Sequence, residues 1–220
     1  THGAIKINIF PNTVLGGPPE QAQQIPLGTL DMGLPTQGQL DKYDTAFAAV
    51  LLPFIFDSPQ QVYKVLDGPG MQWLAPRAEK QGFVLLHNWE YGFRNLTNSL
   101  HPINVPDDVK GLKIAAQGKV ISRAVENLGA SPIATAVADF YQALSRGTID
   151  YIATAWSALP SFKLDEVTSY HLEVPLGTAA VYVELNKDSY AKLPATAKAA
   201  VDKTTGEPMV RHMIEVIDGA

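Results

Sequence analysis

The chain has 220 residues, 46% of them hydrophobic, enough for one large core or two small ones. Seventeen basic residues against 22 acidic ones leave a net charge of −5, which excludes the basic footprint of a nucleic-acid or anionic-membrane binder. The absence of cysteine excludes a disulfide framework and a thiolate metal site.

Strand and helix patterns alternate along the chain, which predicts an α/β architecture. Ile5, Ile7 and Ile9 alternate with Lys6 and Asn8, the pattern of a half-buried strand. Pro18-Pro19-Glu20 opens a helix to about Leu27, and Gly28 suits its C-terminal cap. A short strand follows from Leu30 to Gly33. The apolar run Ala46–Phe56 is too short to cross a bilayer and reads as buried core. Ser58-Pro59 caps a helix to about Leu66, and a second helix runs from about Met71 to Lys80 and ends at Gly82. Phe83–Trp89 is near-continuously apolar, as in a central strand covered on both faces. Beyond it come a strand at Leu112–Ala116, helices at Val120–Leu128 and Ala138–Ser145, and strands at Ile149–Ala153 and Ala179–Asn186. A long helix opens at Leu193-Pro194. The start at Thr1-His2-Gly3 reads as a mature or trimmed form, and the last residues read as a helix cut short.

One motif recurs. Gly28-Thr29-Leu30-Asp31 and Gly147-Thr148-Ile149-Asp150 each follow a helix and enter a strand, 119 residues apart. Chance accounts for a four-residue match about as well as descent does. The shared context suggests two similar α/β lobes, with ligand residues just beyond the strand ends. Those residues are Thr36 and Gln37 in one half, Thr154 and Trp156 in the other.

Catalytic signatures are missing: no phosphate-binding loop, no dinucleotide fingerprint, no zinc-protease motif and no nucleophile elbow. None of the five histidines stands at metal-ligand spacing from another. These features point to a protein without catalytic residues, metal or cofactor. Asn95-Leu96-Thr97 matches a glycosylation acceptor, a motif that also arises by chance. Arg94 follows the apolar strand among Trp89, Tyr91 and Phe93. A guanidinium in that setting is partly buried and needs an anion or several acceptors, either a ligand carboxylate or an internal partner. Trp89, Tyr91, Trp156 and Tyr182 either line a pocket or belong to the core. Asn186 either contacts a ligand or forms the turn with Lys187.

The chain resembles the solute-binding subunits of tripartite ATP-independent periplasmic (TRAP) transporters, of the dicarboxylate-binding type. The matching stretches run in order along it: Ile7-Asn8-Ile9-Phe10-Pro11-Asn12, Leu27-Gly28-Thr29-Leu30-Asp31-Met32, Leu52-Pro53-Phe54-Ile55-Phe56, Tyr63-Lys64-Val65-Leu66-Asp67-Gly68, Gly92-Phe93-Arg94-Asn95-Leu96-Thr97-Asn98-Ser99, Lys110-Gly111-Leu112-Lys113-Ile114, Leu128-Gly129-Ala130-Ser131-Pro132 and Tyr141-Gln142-Ala143-Leu144. The resemblance implies a two-lobed periplasmic-binding fold with a ligand cleft between lobes and terminal elements missing. It places lobe I at 1–92, lacking its first strand and helix, and lobe II at 93–206. A helix returning between the lobes begins at 207–220. It also implies a periplasmic, monomeric protein that hands a small organic acid to a membrane permease. In such proteins the arginine at the position of Arg94 holds the substrate carboxylate, the position of Asn186 adds a polar contact, and the segment after Asp150 lines the pocket.

The sequence departs from that family at one telling place. The main carboxylate-binding arginine normally follows Lys-Gly-Leu-Lys-Ile, and here Ala115 stands there. Arg94 then holds the acid alone, Lys119 or Arg123 substitutes, or the ligand is not an acid. The lining Tyr151-Ile152-Ala153-Thr154-Ala155-Trp156 is less polar than usual, which favours an aromatic or keto acid. The expected ligand set is Arg94, Asn186, Trp156, Thr154, Gln37, Thr36, Tyr91 and Lys119. The alternatives are a ligand-sensing module of a signalling system and an α/β enzyme using the same cleft.

Overall fold

A computed structural model describes residues 5–11, 13–174, 176–206, 209 and 212, and of Tyr91 the backbone only. The helices follow their caps. Gly17 and two prolines open α1 (Pro18–Leu27), and Gly28, at φ 74°, closes it. A two-residue strand, β1 (Met32–Gly33), and the single turn α2 (Gln37–Leu40) come next. The apolar run is divided: Phe47, Ala48, Val50 and Leu51 are buried on a 3₁₀ turn, whereas Phe54 and Ile55 are exposed. Then follow α3 (Pro59–Leu66), α4 (Pro69–Lys80) and β2 (Phe83–Phe93). β3 (Asn95–Asn98), β4 (Lys113–Ala115), α5 (Gly118–Asn127) and β5 (Ser131–Ile133) continue the chain. After α6 (Phe140–Ser145) come β6 (Tyr151–Thr154), α7 (Ala158–Ser161) and β7 (Tyr170–Leu172). The described part closes with β8 (Thr178–Asn186), α8 (Lys187–Lys192) and α9 (Ala195–Thr204).

The chain divides into two compact units. Unit 1 comprises Thr1–Phe47, Val62–Glu90 and Ala180–Ala220, and unit 2 comprises Ala48–Gln61 and Tyr91–Ala179. The expected contiguous halves are thus interleaved. β8 explains why: it pairs antiparallel with β1, Met32 opposite Leu185 and Gly33 opposite Glu184, and so draws 180–206 into unit 1. Most of 207–220 lies outside the described residues.

Unit 1 holds the sheet β1-β8-β2. Its core joins Ala22 and Ile25 of α1, Leu40, Phe47, Leu74 and Ala78 of α4, Phe83 and Leu85 of β2, and Tyr182 of β8. The central strand among the described residues is therefore β8, buried at every position, and β2 lies at the end of the order. The expected strand at 5–9 has no ladder. Ile7 and Ile9 are 72% and 82% exposed, and alternation makes a strand only where a partner offers its hydrogen bonds.

Unit 2 holds the sheet β5-β4-β6-β3-β7. β4 runs parallel to β5 and β6, while β3 runs antiparallel to β6 and β7. Residue alternation sends neighbouring side chains to opposite faces. Ile114, Tyr151 and Ala153 pack with Ile121 and Val125 of α5 on one face. Ala115 and Ile152 pack with Phe140, Ala143 and Leu144 of α6 on the other.

The recurrent Gly-Thr-x-Asp motif is the same local device in both units. Gly28 and Gly147 sit at φ 74° and 65°. The Thr29 and Thr148 hydroxyls donate to the carbonyls of Gln24 and Ala143, at 3.2 and 3.1 Å. Each aspartate then ties into the structure it enters. Asp31 accepts from the Ser189 hydroxyl, and Asp150 accepts from the Lys113 amide.

Candidate functional site at the carboxyl edge of the unit 2 sheet

Strand order locates the candidate site. The chain leaves β4 through α5 to reach β5 on one side, then returns through α6 to β6 on the other side of β4. Helices of opposite crossovers cover opposite faces, and the carboxyl ends of β4 and β6 between them are where open α/β sheets bind ligands. Ala116-Gln117 follows β4 there, and Ala155-Trp156 follows β6. β3 is antiparallel to β6, with Asn95 opposite Thr154, so Arg94 enters at the same edge. Topology therefore gathers Arg94, Thr154, Trp156 and Lys119, at the N-terminal turn of α5, on one edge of one sheet.

Arg94 is 7% exposed. Its backbone is pinned: the amide donates to the Gly177 carbonyl at 2.8 Å, and its carbonyl accepts from the Leu176 amide at 3.0 Å. The side chain is oriented too. Nε donates to the Thr178 carbonyl at 3.1 Å, and Nη1 donates to the Ala153 carbonyl at 3.3 Å. These two neutral carbonyls fix the plane of the guanidinium, the condition for bidentate recognition of a planar anion. Thr178 is anchored in turn, its hydroxyl donating to the Val50 carbonyl at 3.1 Å.

Ala115 is buried at the end of β4 and offers only a methyl group. The candidate substitutes differ in setting. Lys119 is exposed on the first turn of α5, and Arg123 is exposed on its middle, paired with Glu126 at 3.3 Å. Trp156 is 52% exposed and lies on the His171 ring, centroids 3.5 Å apart and planes tilted by 30°. The Tyr91 side chain lies outside the described residues. Asn95 is buried, and its amide donates to the Phe93 carbonyl at 3.1 Å, so the glycosylation match sits inside a strand.

The remaining three expected ligand residues belong to unit 1. Thr36 precedes α2 and bridges to Val181. Gln37 is fully buried and donates to Asn88 Oδ1 at 3.1 Å. Asn186 stands apart, five residues further along β8, and both ends of its amide have structural work. Nδ2 donates to the Ile25 carbonyl at 2.7 Å, and Oδ1 accepts from the Ser189 amide at 2.8 Å as the N-cap of α8. Tyr182 is core.

Two residues that the sequence reading passed over stand out. His171 shares a hydrogen bond through Nδ1 with the Thr97 hydroxyl, while its buried Nε2 has no partner among the described residues. Burial pushes its pKa down, and Glu173 partly offsets this. Glu184 is fully buried on β8 with neither carboxylate oxygen paired among the described residues. Burial raises its pKa well above the usual carboxylate range. A charged residue in the apolar run Val181–Leu185 was a visible signal for Glu184, whereas nothing local marked His171. No group of three metal-ligating side chains occurs among the described residues, and no described helix is long and apolar enough to cross a membrane.

Known proteins agree with this architecture. A solved TRAP periplasmic solute-binding protein from Xanthobacter autotrophicus, with bound β-D-galacturonate, superposes with a TM-score of 0.92 at 25% identity, over 99% of this chain and 73% of its own. A second, from Roseobacter denitrificans with bound β-D-glucuronate, gives 0.86 at 26% identity, over 96% and 71%. The C4-dicarboxylate-binding periplasmic protein DctP of Rhodobacter capsulatus is 30% identical over 94% of this chain and 62% of its own length. The chain thus spans about three-fifths of that curated relative. The model of the bacterial extracellular solute-binding proteins, family 7, matches residues 1–217, and the chain belongs to that family.

Proposed function

We propose that this chain captures a small organic acid in the periplasm, as a monomer, and delivers it to the membrane permease of a TRAP transporter without chemical change. The carrying observation is Arg94, a buried guanidinium held in plane by two carbonyls at the carboxyl edge of β6. A carboxylate supplies two acceptors and the opposite charge in a site of low dielectric, where the pairing is strongest. Lys119, on the first turn of α5, adds positive charge beside the helix N-terminus. Thr154 offers a hydroxyl and Trp156 an apolar surface. The related proteins point the same way, since the two solved neighbours hold uronates and the Rhodobacter relative is named for C4-dicarboxylates.

Calorimetric titration with a panel of hydroxy, dicarboxylic, keto and aromatic acids tests the proposal. At least one acid binds, and Arg94→Ala weakens it by about 2–5 kcal/mol, as when one partner of a buried charge pair is truncated. Unchanged affinity in that variant removes Arg94 from the site. Turnover of the bound acid on prolonged incubation would contradict capture without chemistry.

A further inference from the structure

Unit 2 includes one short segment, Ala48–Gln61, whose chain neighbours on both sides belong to unit 1. It carries the second half of the apolar run, which the ligand site does not use. No charged residue lies between Asp44 and Asp57, in a chain that is 18% charged. Leu51 and Phe56 are buried and fix the two ends of a tip at 52–55. Between them Leu52, Phe54 and Ile55 are 47%, 64% and 48% exposed. Phe54 sits at φ 61°. A bulky side chain at positive φ is an outlier, kept only where the surroundings over-determine it. Core packing does not supply the reason here, because most of the Phe54 surface is open to solvent.

The anchors of this tip lead to Arg94. The Val50 carbonyl accepts from the Thr178 hydroxyl at 3.1 Å, and the Thr178 carbonyl accepts from Arg94 Nε at 3.1 Å. The Leu51 carbonyl oxygen lies 2.5 Å from where a Cβ on Gly177 would stand, and the Gly177 carbonyl holds the Arg94 amide at 2.8 Å. The backbone that presents the tip therefore rests on the two residues that orient the guanidinium. Clustered exposed apolar side chains mark an interaction surface, and the size of the cluster selects the partner. A side chain buries at most about 250 Å², so three of them fall short of the roughly 800 Å² per partner of a stable complex. A permanent dimer with a second copy needs more than this tip offers, whereas a partner that docks and leaves does not. The missing charge selects the partner's chemistry too: a neutral, apolar surface, such as a membrane protein presents where it meets water.

We propose that the tip at 52–55 is the surface by which this chain docks on its TRAP permease, with Phe54 as the anchor. This rests on the delivery reading above and adds where delivery makes contact. The permease must release the chain after each delivery, which a small uncharged contact allows and a permanent interface does not. The strained backbone at Phe54 holds the ring outward for that contact. Two hydrogen bonds, through Val50 and Thr178, separate the base of the tip from the guanidinium of Arg94.

The test is surface plasmon resonance of the full chain over the permease of the same transporter in phosphatidylethanolamine–phosphatidylglycerol nanodiscs, with empty nanodiscs as the second surface. Wild type is compared with Phe54→Asn, Leu52→Ser and Ile55→Ser. Asparagine accepts the left-handed backbone, so Phe54→Asn removes the ring and keeps the turn. Wild type binds the permease and not the empty nanodiscs. Phe54→Asn weakens that binding about 10-fold or more, as loss of an aromatic anchor does at an interface, and the two serine variants weaken it by less. The urea midpoint of Phe54→Asn holds or rises, because the strain at φ 61° is relieved. Calorimetric titration with D-galacturonate gives the same result in wild type and Phe54→Asn. A different result there puts Phe54 in the ligand site, and a fallen midpoint makes it a packing residue; both overturn the inference. Unchanged permease binding by Phe54→Asn overturns it and leaves acid capture and delivery standing. Wild-type binding to empty nanodiscs makes the tip a lipid contact, and a sedimenting dimer that Phe54→Asn dissolves makes it an interface between copies, so either result overturns it as well. If wild type does not bind the permease, the delivery reading falls together with the inference.

Discussion

Glu184 is buried near the end of β8, close enough to Tyr43 and Tyr182 that its charge raises the pKa of both. Its raised pKa means that the folded protein holds it neutral while the unfolded chain ionises it near pH 4.3. The resulting stability is complete below that pH and is lost as pH rises toward the folded pKa. Urea titrations at pH 5 and pH 8 are expected to show wild type less stable at the higher pH. Glu184→Gln, which cannot ionise, flattens the dependence, and a variant with the wild-type slope would assign it to another group. At the same scale, Arg94 was legible in the sequence as a cation among aromatics. Its two carbonyl partners were not, because Thr178 lies 84 residues away and Ala153 lies 59 away. Asn186 was open in the sequence. Its position beside Lys187 suggested either a contact or a turn, and the hydrogen bonds make it a helix cap tied to α1.

Among the elements, the long helices and strands were legible wherever period and caps agreed, as at Gly28 after α1 or Ser58-Pro59 before α3. The short strands β3, β5 and β7 were not, since three or four residues carry no measurable period and exist because neighbours pair with them. Glycines separate two kinds of constraint. Gly147 needs only its left-handed backbone, since a Cβ there would meet nothing within 4 Å. Gly177 combines φ 115° with a Cβ position 2.5 Å from the Leu51 carbonyl oxygen. Gly147→Ala is therefore expected to cost about 1–2 kcal/mol. Gly177→Ala should cost about 3 kcal/mol or more, because it adds a backbone clash and disturbs the carbonyl that holds the Arg94 amide. Denaturant midpoints for the two variants check the ranking, and equal losses would mean that Leu51 yields easily.

For the whole molecule, two α/β units were foreseen from a four-residue echo, and one copy of that echo lies in each unit. The linear reading set one boundary, two residues from one of the four crossings. A linear reading divides the chain once, near 92, whereas the chain passes between units at 47/48, 61/62, 90/91 and 179/180. Ligand linkage gives a test at this scale. An acid present at 100 times its dissociation constant stabilises the fold by about 2.7 kcal/mol. For a chain of this size that raises the melting temperature by roughly 5–11 °C, and the rise should shrink in Arg94→Ala. A ligand-independent melt would count against capture by the folded chain. The sequence by itself determined the α/β class, the family and the burial of Arg94, because periodicity, caps and ordered motifs are local and survive in one dimension. Only the tertiary structure decided which residues share the carboxyl edge of the unit 2 sheet, that His171 lies beneath Trp156, and that Glu184 is sealed inside unit 1. Strand order and register bring together residues that lie tens of positions apart, and no local pattern encodes that pairing.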